Sequence, residues 1–331
     1  MNDFEYSRAG DVEGALRLAA GSEAQFIAGG TNLLDLMKCG VTQPQRLIDI
    51  TQVTALARIH ELENGGIRIG ALARNSDTAE HPLIRGRYPL LSRALLSGAS
   101  PQLRNMATAG GNLMQRTRCP YFFDVAFSEC NKRRPGSGCA ALKGFTRNHA
   151  ILGASASCIA VNPSDMSVAL VALDAVVQVR SAHGSRHMPL ADFQRLPGDT
   201  PHLDTHLAPG EIIVAVDLPA NRWQKNSVYL KVRDRASFAF ALVSVAAALE
   251  VQDGVIHDAR LVLGGVAHKP WPVADAASML RGQRPSGDLF RQIADGALRA
   301  AVPHKDNAFK VELGKRAIVR ALSLASSSEA A

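Results

Sequence analysis

The sequence predicts an α+β protein of two domains, and three observations carry that expectation. A chain of 331 residues is long enough to bury more than one core. Around residues 221–226 the hydrophobic pattern changes, from interspersed strand and helix segments to a run of strands followed by a run of helices. The stretch of roughly 116–158 has little periodicity of either kind and reads as an insertion in the first domain.

Hydrophobic residues make up 47% of the chain and charged residues 20%, values of a globular protein rather than a disordered or fibrous one. The longest apolar candidate, Phe238 to Leu249, is too short to span a bilayer. The opening MNDFEYSRAG carries acidic residues and no apolar stretch, so no signal peptide is expected. The formal net charge is +7, but Lys and Arg are scattered and no nucleic-acid motif accompanies them. That balance fits solubility, or a surface that meets an acidic partner.

Residues Asp11 to Ala20 read as a helix, followed by the strand Gln25–Ala28, the turn Gly29-Gly30-Thr31-Asn32 and the helical run Leu33–Lys38. Leu47–Ile50 and Gly66–Ala71 are strand-like, Asn75-Ser76-Asp77 opens a helix, and Pro89–Leu96 is helical. A second glycine turn, Ala107-Thr108-Ala109-Gly110-Gly111-Asn112, precedes the insertion. Beyond it, Pro163-Ser164-Asp165 leads into the helical run Met166–Leu173, then come strands Ala175–Arg180 and Ile212–Leu218, separated by a turn-rich segment from Leu196 to Pro209. In the second domain Val228–Val232, Leu242–Val251 and Arg260–Val266 read as strands, with Asp253-Gly254 as a turn. Helices are expected at Val273–Leu280 and Asp288–Ala301, and the small, polar tail Ser323–Ala331 is expected to fray.

Neither glycine turn is a P-loop, since no Gly-Lys-Ser/Thr ending follows, and neither is a GxGxxG dinucleotide fingerprint. A single Gly-Gly turn is ordinary turn chemistry. Two of them, each flanked by Thr and Asn, offer a set of backbone N–H donors suited to a diphosphate. By residue type alone, Asp165 is equally a helix N-cap, Lys231 a surface lysine and Ile213 a core strand residue.

Cysteine usage is the other departure from the ordinary. Cys39 stands apart and reads as a free thiol, whereas Cys119, Cys130, Cys139 and Cys158 share the insertion, separated by ten, eight and eighteen residues. None of these intervals is the CxxC of zinc fingers or ferredoxins. Buried structural thiols, disulfides of an oxidising compartment, and a four-thiolate metal site are all compatible with them. Spacing does not choose between zinc and [4Fe–4S]. The flanking Arg116, Arg118, Lys132, Arg133 and Arg134 favour thiolates.

The motifs together resemble one family. Phe26-Ile27-Ala28-Gly29-Gly30-Thr31-Asn32-Leu33-Leu34 is similar to the first FAD-pyrophosphate loop of xanthine dehydrogenase and carbon monoxide dehydrogenase flavin subunits. Gln102 to Asn112, with Thr108, Gly111 and Asn112, resembles that family's second loop. Asp165 matches a ribose-binding position, Lys231 in Tyr229-Leu-Lys-Val-Arg233 a lysine near the flavin ring, and Ile213 an apolar residue beside that ring. The resemblance implies a two-lobed FAD-binding domain of the vanillyl-alcohol-oxidase type over residues 1–222. A carbon monoxide dehydrogenase flavoprotein-like α+β domain over 226–325 completes it.

Within the insertion, Arg116-Thr-Arg-Cys-Pro-Tyr-Phe-Phe-Asp124, Cys130-Asn-Lys-Arg133 and Pro135-Gly-Ser-Gly-Cys139 resemble the flavin subunits of bacterial periplasmic aldehyde oxidoreductases. That likeness implies a [4Fe–4S] cluster on Cys119, Cys130, Cys139 and Cys158. It further implies a heterotrimer with a large molybdenum-cofactor subunit and a small [2Fe–2S] subunit. Electrons would pass through FAD to an external acceptor, with no catalytic acid or base in this chain. Location would be periplasmic, by co-export with a signal-bearing partner, the alternative being cytoplasmic. Two other functional readings stand beside it: a stand-alone FAD-dependent oxidoreductase, and a zinc-stapled, non-catalytic interaction protein.

Overall fold

The structure, a computed structural model, describes residues 1–20 and 23–327. A small first lobe holds the parallel strands β1 (Glu5–Arg8), β2 (Ala24–Ile27) and β3 (Arg46–Asp49), in the order β1-β3-β2. Its crossovers are helices α1 (Val12–Ala19), whose N-cap Asp11 accepts from the Gly14 amide, and α2 (Leu33–Lys38). Ala15, Leu16 and Ala19 of α1 pack on Ile48 and Ile50, the face that an amphipathic crossover helix must bury.

The second lobe is an antiparallel sheet of β4 (Ile59–Glu61), β5 (Ile67–Gly70), β6 (Val176–Ser181), β7 (Gly184–Pro189) and β8 (Ile212–Leu218), in the order β4-β5-β8-β6-β7. Helices α3 (Pro89–Ser97), α4 (Ala109–Leu113) and α5 (Asp165–Ala172) pack with it around one core. Every residue of α5 is buried. That helix carries apolar or small side chains on all sides because it also meets Ala246, Ala248 and Val262 of the C-terminal domain.

The C-terminal domain is an antiparallel sheet of β9 (Ser227–Val232), β10 (Val243–Gln252), β11 (Val255–Gly264) and β12 (Trp271–Pro272), backed by α6 (Gly287–Ala297) and α7 (Phe309–Ser326). The expected strands-then-helices order is present. Three boundaries differ from the sequence reading. Asp253 and Gly254 both have positive φ, so the hairpin is tight and β11 starts at Val255 rather than at Arg260. Residues Trp271–Pro272 pair with β11, which delays the expected helix at Val273 to Ala276–Leu280. The first residues of the expected frayed tail are the last turn of α7, where Leu322 and Ala325 are buried; Ser328–Ala331 lie outside the described residues. Among the described residues no helix is long and apolar enough to cross a membrane.

The insertion holds only a short helix at Pro120–Phe123 and a 3-10 turn at Ala140–Leu142. It docks on the first lobe, where Phe122 and Cys130 share a small core with Leu36 of α2.

Candidate cofactor site

The first glycine loop follows β2 and opens α2. Gly30 sits at φ +71°, where glycine alone is free of Cβ strain. A Cβ on Gly29 would lie 1.8 Å from the Met106 carbonyl oxygen, so the two glycine loops touch here through bare backbone. Leu34 N–H returns to Gly30 O and Leu36 N–H to Asn32 O, while the amides of Thr31 and Asn32 have no acceptor among the described residues.

The second loop is built differently. Thr108 caps α4, its hydroxyl accepting from Gly111 N–H at 3.3 Å. Ala109 N–H donates to Ala73 O, Gly110 N–H to Ala71 O and Asn112 N–H to Thr108 O. All four amides from Ala109 to Asn112 are therefore committed within the protein. Asn112 Oδ1 accepts from Ser164 Oγ and Gln115 Nε2, both at 2.7 Å, tying this loop to the start of α5.

Between the loops lies a cavity of about 530 Å³, the size of a small-molecule site. Of the residues expected from sequence, Thr31, Asn32, Gly111, Asn112 and Asp165 line it. Phe26, Ile27, Ala28, Gly29, Gly30, Leu33, Leu34 and Thr108 are not part of that lining. Asp165 is not the helix cap; Ser164 is, accepting from Ser167 N–H at 3.0 Å. The carboxylate instead accepts from Tyr229 OH at 2.6 Å and Lys231 Nζ at 2.8 Å. Burial and the neighbouring carboxylate push the Tyr229 phenol well above its ordinary pKa, so it stays a donor. Lys231 is thus a buried ion-pair partner, 3% exposed, and holds a residue of the cavity wall rather than lining it. Ile213 lies in the core of the second lobe, away from the lining.

Sequence reasoning missed part of the wall. Asn75, Gln115 and Arg118 line it, as does the loop before β10 with Phe238 and Phe240. Asn75 Oδ1 and Arg118 Nε are buried without a hydrogen-bond partner. Free amides on one loop, unpaired polar atoms in the wall and a cavity of this size together fit a large, polar, anionic cofactor such as FAD.

A second, much smaller cavity of about 10 Å³ is lined by Cys119, Cys130, Cys139 and Cys158, and Cys119 lines the larger one as well. The isolated bridge between Cys130 and Cys139 brings two of them together, and His149 Nε2 stands 3.2 Å from Cys119 Sγ. All five cysteines are free thiols. Burial pushes the Cys119 thiol up to about 12, while a hydrogen bond from Cys158 holds Cys139 down at about 6. Beside them, the buried ammonium of Lys132 donates to Pro201 O and pairs with Asp204, which also receives Arg116 at 2.6 Å. Burial raises the Asp204 carboxyl, but the two cations outweigh it and hold it below its ordinary range. This triad pins the insertion to the turn-rich segment after β7.

A set of four thiols is soft-metal chemistry. Among the described residues, however, no group of three His, Cys, Asp or Glu stands close enough for one ion. Four sulfurs around a single zinc would sit about 3.8 Å apart, from Zn–S bonds of about 2.3 Å.

The family described as FAD binding domain in molybdopterin dehydrogenase matches residues 2–221, and CO dehydrogenase flavoprotein C-terminal domain matches residues 228–325. The chain is 51% identical to the aldehyde oxidoreductase FAD-binding subunit PaoB of Escherichia coli (strain K12), over 98% of each chain. It is 29% identical to the glyceraldehyde dehydrogenase medium chain of Sulfolobus acidocaldarius, over 92% of this chain and 90% of that one. Reconstituted CO dehydrogenase from Oligotropha carboxidovorans shares the fold, with a TM-score of 0.77 at 21% identity over 98% of both chains. The chain belongs to the FAD-binding medium subunits of the xanthine dehydrogenase and carbon monoxide dehydrogenase family.

Proposed function

We propose that this chain is the flavin subunit of a heterotrimeric molybdenum-containing aldehyde oxidoreductase. Its partners would be a large molybdenum-cofactor subunit, where the aldehyde is oxidised, and a small [2Fe–2S] subunit. Bound in the larger cavity, FAD would supply the electron chemistry between the small subunit and an external acceptor. The chain's own residues position and shield it. The amides of Thr31 and Asn32 meet an anionic group. Gly29 lets the loops close on each other. Asp165, oriented by Tyr229 and Lys231, offers a carboxylate to a hydroxyl. No side chain is assigned as a general acid or base.

One observation carries the aldehyde-oxidoreductase form of this reading: all four cysteines of the insertion line one small cavity, which shares Cys119 with the larger one. That arrangement supports a metal centre on Cys119, Cys130, Cys139 and Cys158, which we read as a [4Fe–4S] cluster. Strong identity to an aldehyde oxidoreductase subunit over the whole chain supports the substrate class. Periplasmic residence, by export with a signal-bearing partner, completes the proposal.

The test is an absorption spectrum of the anaerobically purified protein with its partners co-expressed, with flavin, iron and zinc quantified. Flavin bands, a broad brown shoulder and about four irons per chain are expected. Zinc without iron overturns the cluster; a folded preparation without flavin overturns the reading as a whole.

A further inference from the structure

We infer that His149 donates a hydrogen bond from Nε2 to the sulfur of Cys119 and raises the reduction potential of the cluster, as a positioning residue and not a ligand. The inference rests on the four cysteines of the insertion holding that cluster.

His149 is 2% exposed, and its Nε2 stands 3.2 Å from Cys119 Sγ. Three backbone contacts fix the residue. Its N–H donates to Thr146 O at 2.9 Å, and its carbonyl accepts from Lys310 Nζ at 2.9 Å and from Asn307 Nδ2 at 3.2 Å. Lys310 of α7 and Asn307 just before that helix are both fully buried, so the clasp belongs to the packed interior of the protein. The imidazole also lies beside the Tyr121 ring, with 6.1 Å between centroids. His149 lines the larger cavity and Cys119 lines both, so the contact stands where the two meet.

A metal-bound thiolate has lost its proton, which leaves one direction for this bond, from Nε2–H to sulfur. Nδ1 is then the bare nitrogen of a neutral ring. Nδ1 is also the nitrogen that is buried without a partner, and an open acceptor costs less than an orphaned N–H. A phenyl ring would fill the same space with no polar atom to bury. What the imidazole adds is the donor at the sulfur. An electron entering a cluster increases the negative charge on its sulfurs. A donor aimed at one of them stabilises the reduced form more than the oxidised form, and the potential rises. The backbone N–H groups of Phe122 and Tyr121 also donate to this sulfur. No side-chain substitution removes them, so a change at position 149 reads the ring alone.

The experiment is a redox titration of the anaerobically purified protein with its partners co-expressed, with iron and zinc quantified. It follows the low-temperature EPR signal of the reduced [4Fe–4S] cluster in wild type, His149→Phe and His149→Gln. Phenylalanine keeps the shape and loses the donor, whereas glutamine keeps an N–H near the place of Nε2. Loss of the bond predicts a reduction equilibrium shifted about tenfold toward the oxidised cluster in His149→Phe, about 59 mV for one electron. His149→Gln recovers most of that shift. A reduction equilibrium of His149→Phe within about twofold of wild type overturns the inference. So does an equal shift in both variants, which marks a packing role. If His149→Phe takes up no iron, wild-type protein carrying histidine isotopically labelled at its ring nitrogens decides. A pulsed EPR spectrum of its reduced cluster without ring-nitrogen coupling overturns the inference. Wild-type protein that holds zinc, or no metal, overturns the cluster reading beneath it, and the inference with it.

Discussion

The two glycine loops look alike in sequence and do different work. Gly29-Gly30-Thr31-Asn32 and Thr108-Ala109-Gly110-Gly111-Asn112 both combine paired glycines with Thr and Asn, and both open helices beside one cavity. In the first, the amides of Thr31 and Asn32 remain open. In the second, the corresponding donors close on Ala71, Ala73 and Thr108. The first loop keeps backbone donors free, whereas the second spends its amides on bracing while Gly111 and Asn112 still line the cavity. A glycine pair beside a helix start therefore marks close backbone approach, and the partners of its N–H groups decide whether a ligand is approached or another strand.

Three substitutions sharpen that contrast. Gly29→Ala carries the largest expected effect, because its Cβ would overlap a carbonyl oxygen rather than a flexible side chain. The loops must separate, at about 3 kcal/mol, and bound flavin falls below a tenth of the wild-type content. Near-normal flavin content in purified Gly29→Ala would contradict the tight contact. Gly110→Ala is milder. Its Cβ would meet Ala71 Cβ at 3.1 Å and Ala71 O at 3.2 Å, a compression worth about 1–2 kcal/mol, visible as a lower urea midpoint. Should it cost more than Gly29→Ala, the contact of Gly29 with Met106 is looser than the 1.8 Å approach implies. Thr108→Ala removes only a cap and lowers stability by about 1 kcal/mol. Thermal unfolding at the wild-type temperature would mean that the 3.3 Å cap bond contributes nothing.

A second contrast separates the insertion from the domains it joins. The lobes and the C-terminal sheet are held by apolar cores, whereas the insertion shares a small one with α2 and adds only Ile151 and Leu152, at its end, to that of the C-terminal domain. Much of the rest of its order comes from polar ties: the Lys132–Asp204–Arg116 triad, Arg118 to Asn32, and four cysteines around one cavity. Low periodicity in the sequence was the sign of this, since a segment without a hydrophobic face has to be fastened by something else.

Legibility followed the range of the interactions. The first loop, α2, β8 and the Asp253-Gly254 turn were readable because local pattern and turn chemistry set them. Helix α7 was missed although it covers the C-terminal sheet. Its Gly314 sits where a Cβ would come within 2.8 Å of Leu298, a packing reason invisible along the chain. Lys231 looked like a surface residue because lysines usually are. Its burial depends on Asp165 lying 66 positions earlier in the sequence. Arg118 appeared only as one of several basic residues flanking the cysteines. Nothing local distinguishes it from Arg134, which is exposed.

By itself the sequence determined the two-domain α+β plan, the paired glycine turns and the gathering of four cysteines in one irregular segment. Each depends on residue type and short-range order, which the chain carries from the outset. Only the tertiary structure decided which loop keeps its amides free, that the cysteines meet around one cavity, and that Arg118 reaches the wall of the other. Those outcomes depend on hydrogen-bond partners and packing surfaces far apart in sequence, and folding alone brings them together.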